Sequence, residues 1–153
     1  MTRTYTYMTQ EGFDVISKEL VDLQKARPEY VKKLTQAADM GDRSENAAYT
    51  NAKRKLRSTD SRLRFLQKVI DHTKVVIPDQ TEYIQIGSYV KVRLNENEFT
   101  LQIVGLHEAD PMKKKVSYRS PVGNALLKHR AHDRVKIQLE DRVIEYEVKG
   151  ISA

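Results

Sequence analysis

Two runs of residues in the first half of the chain keep the same spacing and mirror each other about residue 43. The first is Phe13, Ile16, Leu20, Leu23, Arg27, Tyr30, Leu34, Ala37, and the second is Tyr49, Ala52, Leu56, Thr59, Leu63, Leu66, Ile70, Thr73. Gaps that alternate between three and four residues mark a helix with a single coiled-coil seam. Breakers are scarce before residue 77, with Gly only at 12 and 41 and Pro only at 28. If the chain folds back at the mirror point, 37 faces 49, 34 faces 52 and 30 faces 56, and the pairing continues to 13 and 73. The polar position of the first run, Arg27, then meets the polar Thr59 of the second. The spacing predicts an antiparallel hairpin of two helices of about 27 residues each, an arm roughly 40 Å long at 1.5 Å per residue. Pro28 is expected to kink the first helix at the polar layer.

The turn of this hairpin reads Asp39-Met40-Gly41-Asp42-Arg43-Ser44-Glu45-Asn46, with a helix-ending Gly, capping residue types and three acids. Asp42 and Glu45 stand three apart, which on the first turn of a helix puts two carboxylates on one side and within reach of one cation. The same spacing suits a cap, with Asp42 accepting from free N–H groups and Glu45 reaching back in capping-box fashion. Behind the tip, residues 53–68 carry Lys53, Arg54, Lys55, Arg57, Arg62, Arg64 and Lys68 against one acid, Asp60. The whole chain has a net charge of +6, so this stretch holds as much excess as the protein does. At 100° per residue Lys53, Arg57, Arg64 and Lys68 share one stripe about 22 Å long. A run of charge on a helix is often only a solvated face. Seven cations over four turns repel one another, which favours a phosphate-rich partner, and the few interleaved aromatics favour backbone contacts over base reading.

From Pro78 onward the apolar period falls to two: Val90, Val92, Leu94; Phe99, Leu101, Ile103; Val135, Ile137, Leu139; Ile144, Tyr146, Val148. Such alternation marks strands with one buried face. Turns at residues 95–98 and 140–141 predict two hairpins, and Pro121 to His129 predicts one short helix. The fold class is therefore α+β, with an antiparallel α-helical coiled-coil arm over 1–77 and a small antiparallel β-sheet domain over 78–153, joined near residues 77–82. The absence of Cys removes disulfides, thiolate zinc sites and cysteine nucleophiles, and suits a reducing, cytoplasmic compartment. No apolar run nears the ~18 residues of a membrane span, so no membrane partner is expected. His129 and His132 form an H-x-x-H pair without a third ligand and read as surface residues. No Gly-rich phosphate loop is present.

Over essentially its full length the chain resembles the bacterial transcript-cleavage factors GreA and GreB, and GreB more than GreA. The resemblance rests on Gly41-Asp42-Arg43-Ser44-Glu45-Asn46-Ala47 with Tyr49, then the basic helix from Lys53 to Arg64. Arg27-Pro28-Glu29, Ile103-Val104-Gly105, Ser120-Pro121 and Ala125-Leu126-Leu127 also stand in family order. It implies a coiled coil inserted into the secondary channel of bacterial RNA polymerase and an FKBP-like C-terminal domain docked at the channel's rim. It further implies that Asp42 and Glu45 hold a Mg²⁺ ion completed by the polymerase. In that role they act as co-catalysts, not as an enzyme, in cutting backtracked RNA, with Ser44 orienting the attacking water. Lys53, Arg54, Arg57, Arg64 and Lys68 would hold the extruded 3′ segment of the nascent RNA, and the protein is expected to act as a monomer. Two positions depart from the family pattern: Ala48, where a third acid is usual, and Asn124, where an Arg is usual. Ala48 motivates an alternative reading, a channel-binding regulator that modulates or inhibits the polymerase without cleavage. A prolyl isomerase is disfavoured because residues 78–153 contain one Phe and no Trp to line a pocket.

Overall fold

A computed structural model describes residues 4–41 and 46–153. The chain divides into two compact units, one formed by Asp14–His72 and the other by Met1–Phe13 with Thr73–Ala153.

The first unit is the helical hairpin. Its helices are α1, Gln10–Ala38 (29 residues, the first few of them in the other unit), and α2, Ala47–Asp71 (25 residues). At 1.5 Å per residue each is about 40 Å long. Every seam position read from the spacing, Ile16 to Ala37 on α1 and Tyr49 to Ile70 on α2, is buried or half-buried. Apolar residues off the seam divide: Val15 is 62% exposed and Val21 44%, whereas Val69, next to the seam position Ile70, is buried. Hydrophobicity alone therefore does not decide which side chains turn inward. The helices run antiparallel. Arg27 donates from Nε and Nη2 to the two carboxylate oxygens of Asp60 at 2.6 and 3.2 Å. Arg62 does the same to Glu19 at 2.7 and 3.0 Å, and the Lys55 ammonium lies 5.1 Å from the Tyr30 ring centroid. These pairs keep the mirror about residue 43 to within a few positions.

One layer differs from the expected pairing. Arg27 meets Asp60, not Thr59. Thr59 is buried and donates its hydroxyl to the Lys55 carbonyl at 2.8 Å, which leaves the guanidinium to the adjacent carboxylate and a two-bond match that a hydroxyl cannot offer. α1 runs on through Pro28, where the missing N–H takes a partner from the Gln24 carbonyl.

The second unit holds two sheets. Strands β1 (Thr6–Met8) and β2 (Thr73–Val75), 67 residues apart, pair in parallel with Thr6 opposite Thr73. The larger sheet contains β3 (Tyr89–Leu94), β4 (Asn97–Val104), β5 (Lys115–Ser117), β6 (Arg134–Gln138) and β7 (Val143–Ser152), in the order β5-β4-β3-β7-β6. Both expected hairpins form: Val92 faces Phe99 across β3/β4 and Ile137 faces Ile144 across β6/β7. β7 also pairs with β3, with a bulge where Lys91 faces Gly150 and Val92 faces Val148. The sheet is mixed rather than wholly antiparallel because β5 joins β4 in parallel, Ile103 opposite Val116. The short helix α3, Pro121–Leu126, is capped by Ser120, whose Oγ accepts from the Gly123 N–H at 3.1 Å. Val90, Val92, Leu101, Ile103, Leu126, Val135, Ile137, Tyr146 and Val148 close over one another with Ile84 as the core.

Candidate functional site

The site begins at the distal end of the hairpin. α1 ends at Ala38, and the chain leaves it through the exposed Asp39 and Met40 to Gly41, whose φ of +124° few other residues adopt. Asp42, Ser44 and Glu45, the expected catalytic and metal-holding residues, lie outside the described residues. On the far side of this segment, α2 starts at Ala47 and its N-cap is Asn46, whose Oδ1 accepts from the Tyr49 N–H at 3.1 Å. The placement of Asp42 and Glu45 on a first helical turn or at its cap, which their spacing suggests, falls outside the described residues; the N-cap of α2 is Asn46. The signal for this is an Asn directly before the periodic run, which the acidic pair overshadows in the sequence.

The basic residues stand along α2. Lys53, Arg54, Arg57, Arg64 and Lys68 are all exposed. Lys53, Arg54 and Arg57 come together along one open groove with Tyr49, Thr50, Ser58 and Ser61, while Arg64 and Lys68 lie beyond it. The charge run alone did not reveal the hydroxyls of this groove. Thr50 and Ser58 donate theirs to the helix carbonyls of Asn46 and Lys55 at 3.3 and 3.0 Å, so their oxygens remain acceptors. The Lys53 ammonium lies 5.9 Å from the Tyr49 ring centroid.

The ion pairs sort these cations. Arg62 is committed to Glu19, and its guanidinium holds that carboxyl below its ordinary value. Asp60, the single acid of the stretch, is turned to Arg27. The Arg27 hydrogen bonds hold its carboxyl below the ordinary range, partial burial opposes this, and the charges of Arg27 and Arg64 add to it. Among the described residues, no acid lies within ion-pair distance of Lys53, Arg54, Arg57, Arg64 or Lys68. α2 therefore presents a group of three unneutralised cations near the tip and a pair further along, a surface suited to phosphates.

Among the described residues no group of three or more His, Cys, Asp or Glu side chains could hold a metal ion. His129 instead bonds through Nδ1 to Asp133 at 3.0 Å. Ala48 and Asn124, the two departures, are both exposed, on α2 and α3. No helix among the described residues is long and apolar enough to cross a membrane.

A family model described as "Transcription elongation factor, N-terminal" matches residues 6–75, and one described as "Transcription elongation factor, GreA/GreB, C-term" matches residues 79–153. Relatives include transcription elongation factor GreA 1 of Lactiplantibacillus plantarum, 38% identical over 99% of this chain and 97% of its own length. Transcription elongation factor GreB of Yersinia pestis is 40% identical over 86% of this chain and 80% of its own length. Relatives of both names stand at similar identity, so the match is to the family as a whole. Among solved structures, GreA factor homolog 1 (Gfh1) of Thermus thermophilus aligns over 97% of this chain and 99% of its own at 22% identity, with a TM-score of 0.45. With two family models matched over 6–75 and 79–153 and relatives well above 30% identity along almost the whole chain, this protein belongs to the GreA/GreB family of transcription elongation factors.

Proposed function

We propose that the protein enters the secondary channel of bacterial RNA polymerase with the hairpin foremost and stimulates endonucleolytic cleavage of backtracked nascent RNA, so that arrested complexes restart. The observation that carries this reading is the row of exposed cations Lys53, Arg54 and Arg57, without acid partners among the described residues, on the helix that directly succeeds Asp42 and Glu45. Cations in that position hold the phosphates of an extruded RNA 3′ segment, and Arg64 and Lys68 extend the track for longer segments.

Asp42 and Glu45 carry the chemistry in this reading. Mg²⁺ takes about six oxygen ligands in near-octahedral geometry, so two carboxylates suit it in kind but not in number. They fit a shared ion whose remaining ligands come from the polymerase and water. When bound, such an ion activates water and stabilises the leaving oxygen in phosphodiester hydrolysis. The part of this chain is to supply the two carboxylates, to orient the attacking water through Ser44 and to hold the RNA strand. It is a co-catalyst of the polymerase's own reaction and works as a monomer, with the sheet unit docked at the channel's rim.

The test uses purified arrested elongation complexes. The wild-type protein should shorten the RNA, and Asp42→Asn with Glu45→Gln should abolish shortening while still competing for the polymerase. Equal shortening by both proteins would sink the reading. Binding by the wild type without shortening at any Mg²⁺ concentration would establish the alternative suggested by the exposed Ala48, a channel-binding regulator that does not cleave.

A further inference from the structure

Asn46 makes two bonds at once. Its Oδ1 accepts from the Tyr49 N–H at 3.1 Å, and its Nδ2 donates to the Ala37 carbonyl at 2.6 Å. The two partners belong to different helices of the hairpin. A helix leaves its first four N–H groups and its last four carbonyls without intrahelical partners. Tyr49 N–H is one of these orphans on α2, and Ala37 O is one on α1. Ala37 is itself 5% exposed, so its carbonyl lies where a missing partner is costly. Among the described residues, the other bond to that carbonyl comes from the Met40 N–H at 3.2 Å. A side chain must present an acceptor and a donor on one short stem to serve both ends, which an amide does and a carboxylate does not. The sequence between the two bonded helix ends contains both Asp42 and Glu45.

We propose that Asn46 is a positioning residue for transcript cleavage. Its amide fastens the last turn of α1 to the first turn of α2, so the acidic segment leaves and re-enters the hairpin at two points tied to each other. This inference rests on the cleavage reading. Its consequence is a split between two quantities. Affinity for the polymerase draws on surfaces away from the clasp and should not depend on it, whereas the rate at saturating factor should, because small displacements of a catalytic group cost up to about 10²-fold in rate.

The informative variant is Asn46→Ser, since Ser is as good an N-cap as Asn and keeps the Tyr49 bond but is too short to reach Ala37 as well. Asn46→Asp is a second variant that keeps the cap and replaces the donor with an acceptor. Three measurements decide the matter. Hydrogen exchange on the free protein should show Asn46→Ser several-fold faster than wild type at the Asp39 and Met40 amides, which bond to Thr35 O and Ala37 O, and unchanged along the middle of the arm. The thermal midpoint should stay close to wild type. In arrested complexes the factor concentration giving half-maximal cleavage should be unchanged, while the maximal rate falls about tenfold or more and the Mg²⁺ requirement rises. Wild-type exchange at Asp39 and Met40, or a wild-type maximal rate with Asn46→Ser, would overturn the proposal. So would a loss of activity explained entirely by weaker polymerase binding. Absence of cleavage by the wild-type protein would instead overturn the cleavage reading itself.

Discussion

The carboxyl of Asp60 is drawn toward α1 by Arg27 at 2.6 Å, while the charge of Arg64 on its own helix still acts on it. It tethers the hairpin at the polar layer and leaves Lys53, Arg54 and Arg57 without an ion-pair partner among the described residues. Asp60→Asn should therefore act in two directions at once. The unfolding midpoint of the arm should fall, while single-stranded RNA should bind more tightly at low salt because the net charge rises by one. Circular dichroism and a fluorescence titration check the two halves, and a variant with weaker arm and unchanged RNA affinity would show that the Asp60 charge does not reach the row. The pH dependence arises from the same contacts. The carboxyls of Asp60 and Glu19 are held below their ordinary values by Arg27 and Arg62. Asp133 is likewise held down, first by the Arg130 N–H and then by His129. A carboxylate whose folded pKa is depressed stabilises the fold above its unfolded pKa and loses that contribution as pH falls through the folded value. Thermal midpoints should thus be flat from neutrality down to the ordinary carboxylate range near pH 4 and drop steeply only below it. The Asp60→Asn variant should show a shallower acid drop than the wild type. These pairs are exposed enough for salt to weaken them.

The two helices were legible because a coiled-coil seam is a repeated signal: sixteen positions share one rhythm, and a single off-pattern residue such as Arg27 does not obscure it. The hairpin strands of the larger sheet were legible for the same reason, alternation over five or more residues. The β1–β2 pair was not, since three-residue strands carry no period and pairing across 67 positions has no local signature. Nor was the parallel joining of β5 to β4, because direction is set by the path of the intervening chain and not by the three residues of the strand. At the site, the cations were legible as a charge run, but their division was not. It depends on which acids the facing helix supplies, and Glu19 removes Arg62 from a group that sequence alone shows as continuous. That division predicts unequal contributions. Each phosphate contact adds about 0.7 to the salt slope of single-strand binding. Replacing Lys53, Arg54 and Arg57 with Gln should lower the slope of log affinity against log salt for a single-stranded oligoribonucleotide by about 2. Replacing Arg64 and Lys68 should lower it by about 1.4, and Arg62→Gln should leave it nearly unchanged. A drop for Arg62→Gln as large as that for Arg57→Gln would mean the Glu19 pair opens on binding.

At the scale of the whole molecule, each of the two units is stabilised by its own means. The sheet unit has a true interior, with Val90, Val92, Ile103, Leu126 and Val148 at 0% exposure. In Asp14–His72, by contrast, most seam side chains are only half-buried and full burial is confined to Ile16, Ala37, Thr59, Leu66 and Val69 among the described residues. Burial of apolar area is the dominant favourable contribution to stability, so the arm is the weaker unit, supported by its helix caps and cross-helix ion pairs. Heating should melt it first. Nearly all the helix lies in α1 and α2, so ellipticity at 222 nm reports mainly on the arm. The environment of Tyr146, buried and packed edge-on against Phe99 at 5.9 Å between ring centroids, reports on the sheet through near-ultraviolet dichroism. Ile103→Ala should cost the sheet about 2–5 kcal/mol, the range for truncating a fully buried Ile. It should shift the tyrosine transition downward while leaving the helical one nearly in place. Leu66→Ala, which empties the 0%-exposed position of the α2 seam, should do the reverse. If either variant moves both signals by the same amount, the two units unfold as one cooperative body, and the arm draws its stability from the sheet rather than from its own seam.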